Sequence, residues 1–113
     1  MTRFKSALTA AALLLSISGP TLAGNVLSSS ELKQLAPGRF LVSVYGTSMT
    51  VTLRPNGSVL GAAKGESDRG HWNLSGNRLC IGWNKWLGGK TRCSSLVSQV
   101  GYYQGSGFTF KRI

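Results

Sequence analysis

Few residues in this chain are equipped for chemistry, and most of them lie between Gly70 and Cys93, in the stretch GHWNLSGNRLCIGWNKWLGGKTRC. That stretch carries the only His, both Cys and all three Trp. Acid–base hydrolysis of a glycoside takes two positioned carboxylates. The chain has three acidic residues in all, Glu31, Glu66 and Asp68. Glu31 follows Ser28 by three residues, the spacing of a helix capping box, so its carboxylate is already employed. Glu66 and Asp68 stand two apart in the polar segment GAAKGESDRG, which reads as a connecting loop around Gly65 to Arg69. There they would solvate the loop or pair with Arg69. A nucleophilic triad needs a base and an orienting acid. His71 is the one available base, and no Gly-x-Ser-x-Gly elbow accompanies it. Phosphate-loop and dinucleotide fingerprints are also missing. The residue types point away from an enzyme and call for no cofactor.

His71 alternates with Trp72, which puts it on the outer face of a strand whose inner face takes the Trp. A sharper role would be haem or metal ligation, with Tyr102 or Tyr103 as a second ligand. Haem also needs an apolar pocket. Two Cys and one His fall short of the usual structural zinc set. For the cysteines, the compartment suggests a simpler role. Met1 to Ala23 has the form of a secretory signal peptide: Arg3 and Lys5 in front, an apolar run from Ala7 to Ile17, and small residues up to a cut after Ala23. The alternative is an uncleaved anchor, for which the apolar run is short. An exported chain meets oxidising conditions, so Cys80 and Cys93 are expected to form a disulfide. Closing that loop is worth about 3 kcal/mol in the chain-entropy picture.

Residues 24–113 then form one small domain, for which a covalent staple is valuable. Removing Arg3 and Lys5 takes the formal charge from +10 to +8. Such a balance favours anionic partners, although scattered charge can equally serve solubility. The basic residues are spread along the chain rather than run together. Nucleic acid fits the charge but not the exported compartment.

The elements that must position these residues follow from hydrophobic period. Asn25 to Pro37 begins with a short helix capped by Ser28, with Leu27, Leu32 and Leu35 on one face and Pro37-Gly38 as the stop. From Arg39 the period changes to two. Phe40, Val42 and Val44 alternate with Leu41, Ser43 and Tyr45, Gly46-Thr47-Ser48 turns, and Met49, Val51 and Leu53 form a half-buried strand. Pro55-Asn56-Gly57 is a hairpin turn. A two-residue loop there pairs Leu53 with Leu60 and Val51 with Ala62. Gly76-Asn77 as a type II′ turn pairs Leu74 with Leu79, Trp72 with Ile81 and Gly70 with Trp83, all on a core face. Trp86-Leu87-Gly88-Gly89 turns again. Pairing Cys80 with Cys93 then sets Ile81 near Arg92 and the disulfide on the face opposite Ile81 and Trp83, unless a bulge shifts the register. Strands follow from Ser94 to Tyr103 and from Phe108 to Lys111, joined by Gly105-Ser106-Gly107. The expected fold is mainly β: an antiparallel meander of seven to eight strands, curled or closed into a small barrel, with one short N-terminal helix. An open sandwich is the alternative.

This order of features (LSSSELKQLAPG helix, PNG turn, Gly70-His71-Trp72, Arg78-Leu79-Cys80, then a second Cys after a Gly-rich turn) resembles a family of small secreted bacterial proteins of unknown function with a lipocalin-like meander. The resemblance implies export, the disulfide and the fold, and carries over no catalytic residue.

The leading functional expectation is an exported, non-enzymatic binding or accessory protein of the bacterial envelope. It would meet an anionic lipid, glycan or acidic protein through the turn bearing Lys85, Trp86, Lys90 and Arg92. An exposed Trp among cations stacks on sugars or lies at lipid headgroups; the plainer reading has Trp86 fold back and cap one end of the barrel. Two alternatives stand beside it. One is a small apolar-ligand carrier, provided the meander encloses a cavity; small barrels can be filled by their own side chains, and the many aromatic residues here favour filling. The other is an inhibitor of an exported enzyme; a charge of +8 argues against basic lysozymes as the target, though not against an acidic enzyme.

Overall fold

The computed structural model describes residues 24–113; the signal-peptide reading of residues 1–23 lies outside them. Among the described residues, ten strands form a single antiparallel sheet curled into a half-barrel. In chain order they are β1 (Asn25–Val26), helix α1 (Ser29–Lys33), β2 (Gly38–Val44), β3 (Thr47–Leu53), β4 (Ser58–Ala63), β5 (Glu66–Ser75), β6 (Arg78–Trp83), a 3-10 turn (Trp86–Gly89), β7 (Thr91–Ser94), β8 (Val97–Gln99), β9 (Tyr102–Gly105) and β10 (Phe108–Arg112). Across the sheet the order is β1-β8-β9-β10-β2-β3-β4-β5-β6-β7. The last strand, β10, closes back on β2 through Phe110 opposite Val42 and Arg112 opposite Phe40. β1 and β7 are left as the two edges.

The strand count exceeds the expected seven to eight for identifiable reasons. Asn25–Val26 is extended and pairs with β8 instead of opening the helix. The segment Ser94–Tyr103 divides into three pieces because Val100-Gly101 is itself a hairpin turn, with Gly101 at φ +85°. Helix α1 keeps its expected cap: the Ser28 hydroxyl accepts the Glu31 N–H, and the Glu31 carboxylate accepts the Ser28 N–H. Leu27, Leu32 and Leu35 are all buried. The helix packs against β5 and β6.

Three turns depart from the sequence reading. Tyr45-Gly46, and not Gly46-Thr47-Ser48, joins β2 to β3. Both residues have positive φ (50° and 79°), the requirement of a type I′ loop. Lys64-Gly65 does the same between β4 and β5 (51° and 80°), so Glu66 to Arg69 are strand residues and not loop. At Pro55 the loop has three residues. Arg54 O accepts the Gly57 N–H, the Asn56 side chain accepts the Ser58 N–H, and Gly57 sits at φ +91°. This is a type I turn closed by a glycine bulge, and it moves the register by one: Leu53 faces Val59 and Val51 faces Gly61. A slip of one turns a strand over. Val59 and Gly61 therefore point inward, and Leu60 and Ala62 outward.

The β5–β6 hairpin has the expected register throughout, including Trp72 opposite Ile81 and Gly70 opposite Trp83. Cys80 is disulfide-bonded to Cys93, directly opposite it across β6 and β7. The bond is not fully solvated as its outward face suggested, for Cys80 is buried. One half of the interior is solid. Phe40, Leu53, Val59, Leu32 and Leu96 are fully buried, with Phe40 against Phe110 at 5.4 Å between ring centroids and the Arg112 guanidinium 4.8 Å over Phe40.

Candidate functional site

The other half of the interior is hollow. A half-open cavity of about 590 Å³ lies between the inner faces of β2, β3, β6, β7 and β10. Its walls come from the period-two alternation: Val42, Met49, Ile81, Trp83 and Phe108 are inner-facing members of their strands. Its mouth is edged by turns, namely Tyr45, Lys64, Leu87 and Ser106-Gly107. Small-molecule sites typically occupy about 300–1,000 Å³ and are mostly apolar with a few polar groups. The aromatic residues were expected to fill such a space. They do not, because Phe40 and Phe110 gather at the helix end of the barrel while Trp83 and Trp86 stack to one side.

That stack depends on a glycine. Trp83 and Trp86 pack with ring centroids 4.9 Å apart. A Cβ placed on Gly61 would lie 2.5 Å from Trp86 Cζ3 and 2.7 Å from Trp83 Cη2. The indole pair therefore occupies the hole left by the missing side chain, as glycine inside a strand allows. Asp68 holds the arrangement from the other side. It is buried on β5, opposite Gly61, and its carboxylate accepts the backbone N–H of Lys85 at 2.8 Å and of Trp86 at 2.9 Å. Burial works against the charge, but the N–H groups of Trp86, Lys85 and Arg69 and the positive charge of Lys85 outweigh it and hold the Asp68 carboxyl below its ordinary value. Asp68 thus fixes the start of the 3-10 turn that sends Leu87 to the mouth, where Leu87 takes a positive φ of 56°.

The four residues singled out in the Lys85–Arg92 turn do not form one cluster. Trp86 folds back onto Trp83 and lines the cavity, half-buried, as the plainer reading had it. Arg92 also lines the cavity, opposite Ile81 on β7. Lys90 is exposed on the turn, and Lys85 borders an open groove on the outer sheet face. In that groove Arg39, Thr52, Leu60 and Arg69 stand in one row across β2 to β5. His71 is exposed on the outer face of β5, while Glu66 and Asp68 occupy the inner alternation of the same strand. The three are not gathered in a cleft. Tyr102 and Tyr103 lie on β9, five strands from His71 across the sheet. Among the described residues, no group of three or more His, Cys, Asp or Glu side chains comes together.

Sequence reasoning missed the cavity wall as a site. Met49, Ile81 and Phe108 were legible as inward-facing, but alternation gives direction and not whether the space ahead is filled. An X-Gly pair could have signalled Tyr45 and Lys64, as it did Ser106 in Gly105-Ser106-Gly107, since each precedes the glycine of a two-residue turn at the mouth. No helix among the described residues is long and apolar enough to cross a membrane. No protein-family model, curated protein or solved structure matches this chain.

Proposed function

We propose that this protein is an exported, non-enzymatic binding protein that carries a small apolar molecule in the hollow of its half-barrel. The observation that supports the reading most is the cavity of about 590 Å³, walled by aliphatic and aromatic side chains and open at one side. Transfer of apolar surface into it from water is favourable at about 25 cal/mol per Å². Export is the reading that joins the Cys80–Cys93 disulfide, compatible with an oxidising compartment, to the signal-peptide form of residues 1–23 and a cut after Ala23. Native mass spectrometry with the neutral alcohol dodecanol tests it: a one-to-one complex of the folded chain is expected. Absence of any complex at concentrations below saturation of the alcohol would remove the reading.

A second reading is favoured by the outer groove. Arg39, Arg69 and Lys85 border it together with Thr50 and Thr52, and Asp68, the one acidic residue there, has its carboxylate engaged by backbone N–H groups. An anionic envelope surface would meet this face by charge complementarity. Co-sedimentation with phosphatidylglycerol vesicles across a salt series checks it: binding should weaken as salt rises. Equal recovery on neutral and anionic vesicles would dismiss it.

A further inference from the structure

We infer that the cavity takes a single-tailed anionic amphiphile, with the anionic head held at Arg92 and the tail laid along Ile81, Met49 and Phe108. This rests on the carrier reading and adds the ligand class to it. The cavity has two unlike poles. Alternation on the edge strand β7 sends Arg92 and Ser94 into a wall that is otherwise aliphatic or aromatic, Arg92 opposite Ile81 and Ser94 opposite Leu79. Across the seam the β9–β10 turn brings Ser106, whose backbone N–H donates to the Ser94 hydroxyl at 3.0 Å. The Tyr45 hydroxyl lies over the same turn, 3.7 Å from where a Gly107 Cβ would stand. The exposed Arg92 and Tyr45 and the Ser106 hydroxyl therefore put side-chain donors on one side of the mouth. The far wall, from Val42 and Met49 to Trp83, is aliphatic and aromatic and carries no charged side chain.

The charges at the rim do not cancel at Arg92. Lys64 lies in the tight turn that Glu66 follows, so the one carboxylate lining the cavity among the described residues has a cation two residues away. Along the inner face of β5, Glu66 stands six residues before Trp72, which shares a row with Ile81 and Arg92. At about 3.3 Å per residue that is roughly 20 Å along the strand. Arg92 is left as a cation beside an apolar hollow, with a fork of donors shaped for a carboxylate or phosphate. Arg92 is exposed at the mouth, so a neutral apolar ligand would leave its charge to water, whereas an anionic head would pair with it directly. Carboxylate and phosphate heads share this chemistry.

The test uses the purified chain and displacement of a neutral naphthylamine fluorophore, with dodecanol, dodecanoate and dodecyl phosphate as competitors below their critical micelle concentrations. The inference expects an anion to displace the fluorophore at about tenfold lower concentration than dodecanol. It expects that ratio to shrink in high salt and to fall towards one in Arg92→Gln, while Arg92→Lys keeps part of it. The more potent of the two anions identifies the head. If the fluorophore binds and all three compete equally, the amphiphile class is overturned and the carrier reading stands. Persistence of the anion preference in Arg92→Gln overturns the assignment to Arg92. If neither fluorophore nor any competitor binds to the folded protein, both readings fall together.

Discussion

Asp68 is the residue on which the local structure of the mouth turns. Its side chain accepts two N–H groups from residues 17 and 18 positions later in the chain. Its folded-state carboxyl value lies below the ordinary 3.8. The unfolded chain therefore holds the extra proton over the window beneath 3.8. The stabilising contribution is complete above that value and is lost as pH falls through the folded one. Denaturant unfolding followed from neutral pH down to pH 2 should show this loss, and Asp68→Asn should be less stable at neutral pH with a shallower acid dependence. Tryptophan emission of the variant should move to the red as Trp86 loses its anchor. Gly61 gives the complementary test. Gly61→Val pushes a branched side chain into the space of two indoles, an overpacking that costs about 1–3 kcal/mol; urea midpoints would read it. Neither role was legible in the sequence. Asp68 looked like a loop carboxylate because its partners are distant in the chain, and Gly61 stood as one residue of the polar segment GAAKGESDRG because the Pro55 loop was read one residue short, which set Ala62 and not Gly61 opposite Val51.

At the scale of elements, legibility followed the turns. The β5–β6 hairpin was readable residue by residue because Gly76-Asn77 admits one tight loop and the apolar residues agree with its register on both strands. The β3–β4 hairpin was misread because Asn56-Gly57 is compatible with two loops. The bulged loop puts Val59 inside, fully buried, and the apolar Leu60 outside, and nothing in the local pattern weighs against either choice. The capping box was readable because it lies within four consecutive residues. Its contribution is checkable: Ser28→Ala should cost about 1 kcal/mol, measured by chemical denaturation, because helix α1 brings Leu32 and Leu35 onto the solid half of the core. The disulfide ties the edge strand β7 to β6. Replacing both Cys80 and Cys93 by Ser should lower stability by about 3 kcal/mol, and hydrogen exchange should rise first in β7.

For the whole molecule, the sheet order explains why the fold leaves a hollow. Helix α1 and the large residues Phe40, Leu53 and Leu96 fill one end of a half-barrel whose other end is bounded only by two-residue turns and a 3-10 turn. The mainly β meander with one short helix was readable from composition and period. The cavity was not, since it depends on where ten strands place their volume relative to one another. The residues expected in one basic turn are divided by it: Trp86 and the exposed Arg92 line the cavity, while Lys85 and Lys90 stay outside it. The central claim is that this space takes up an apolar molecule. It is tested most directly by titrating the neutral naphthylamine fluorophore and recording energy transfer from the tryptophans, in the unaltered chain and in Met49→Trp and Ile81→Trp, which fill the hollow from two walls. The account predicts saturable one-site binding in the unaltered chain and its loss in both folded variants; binding that is absent from the unaltered chain, or unchanged in both variants, would contradict it.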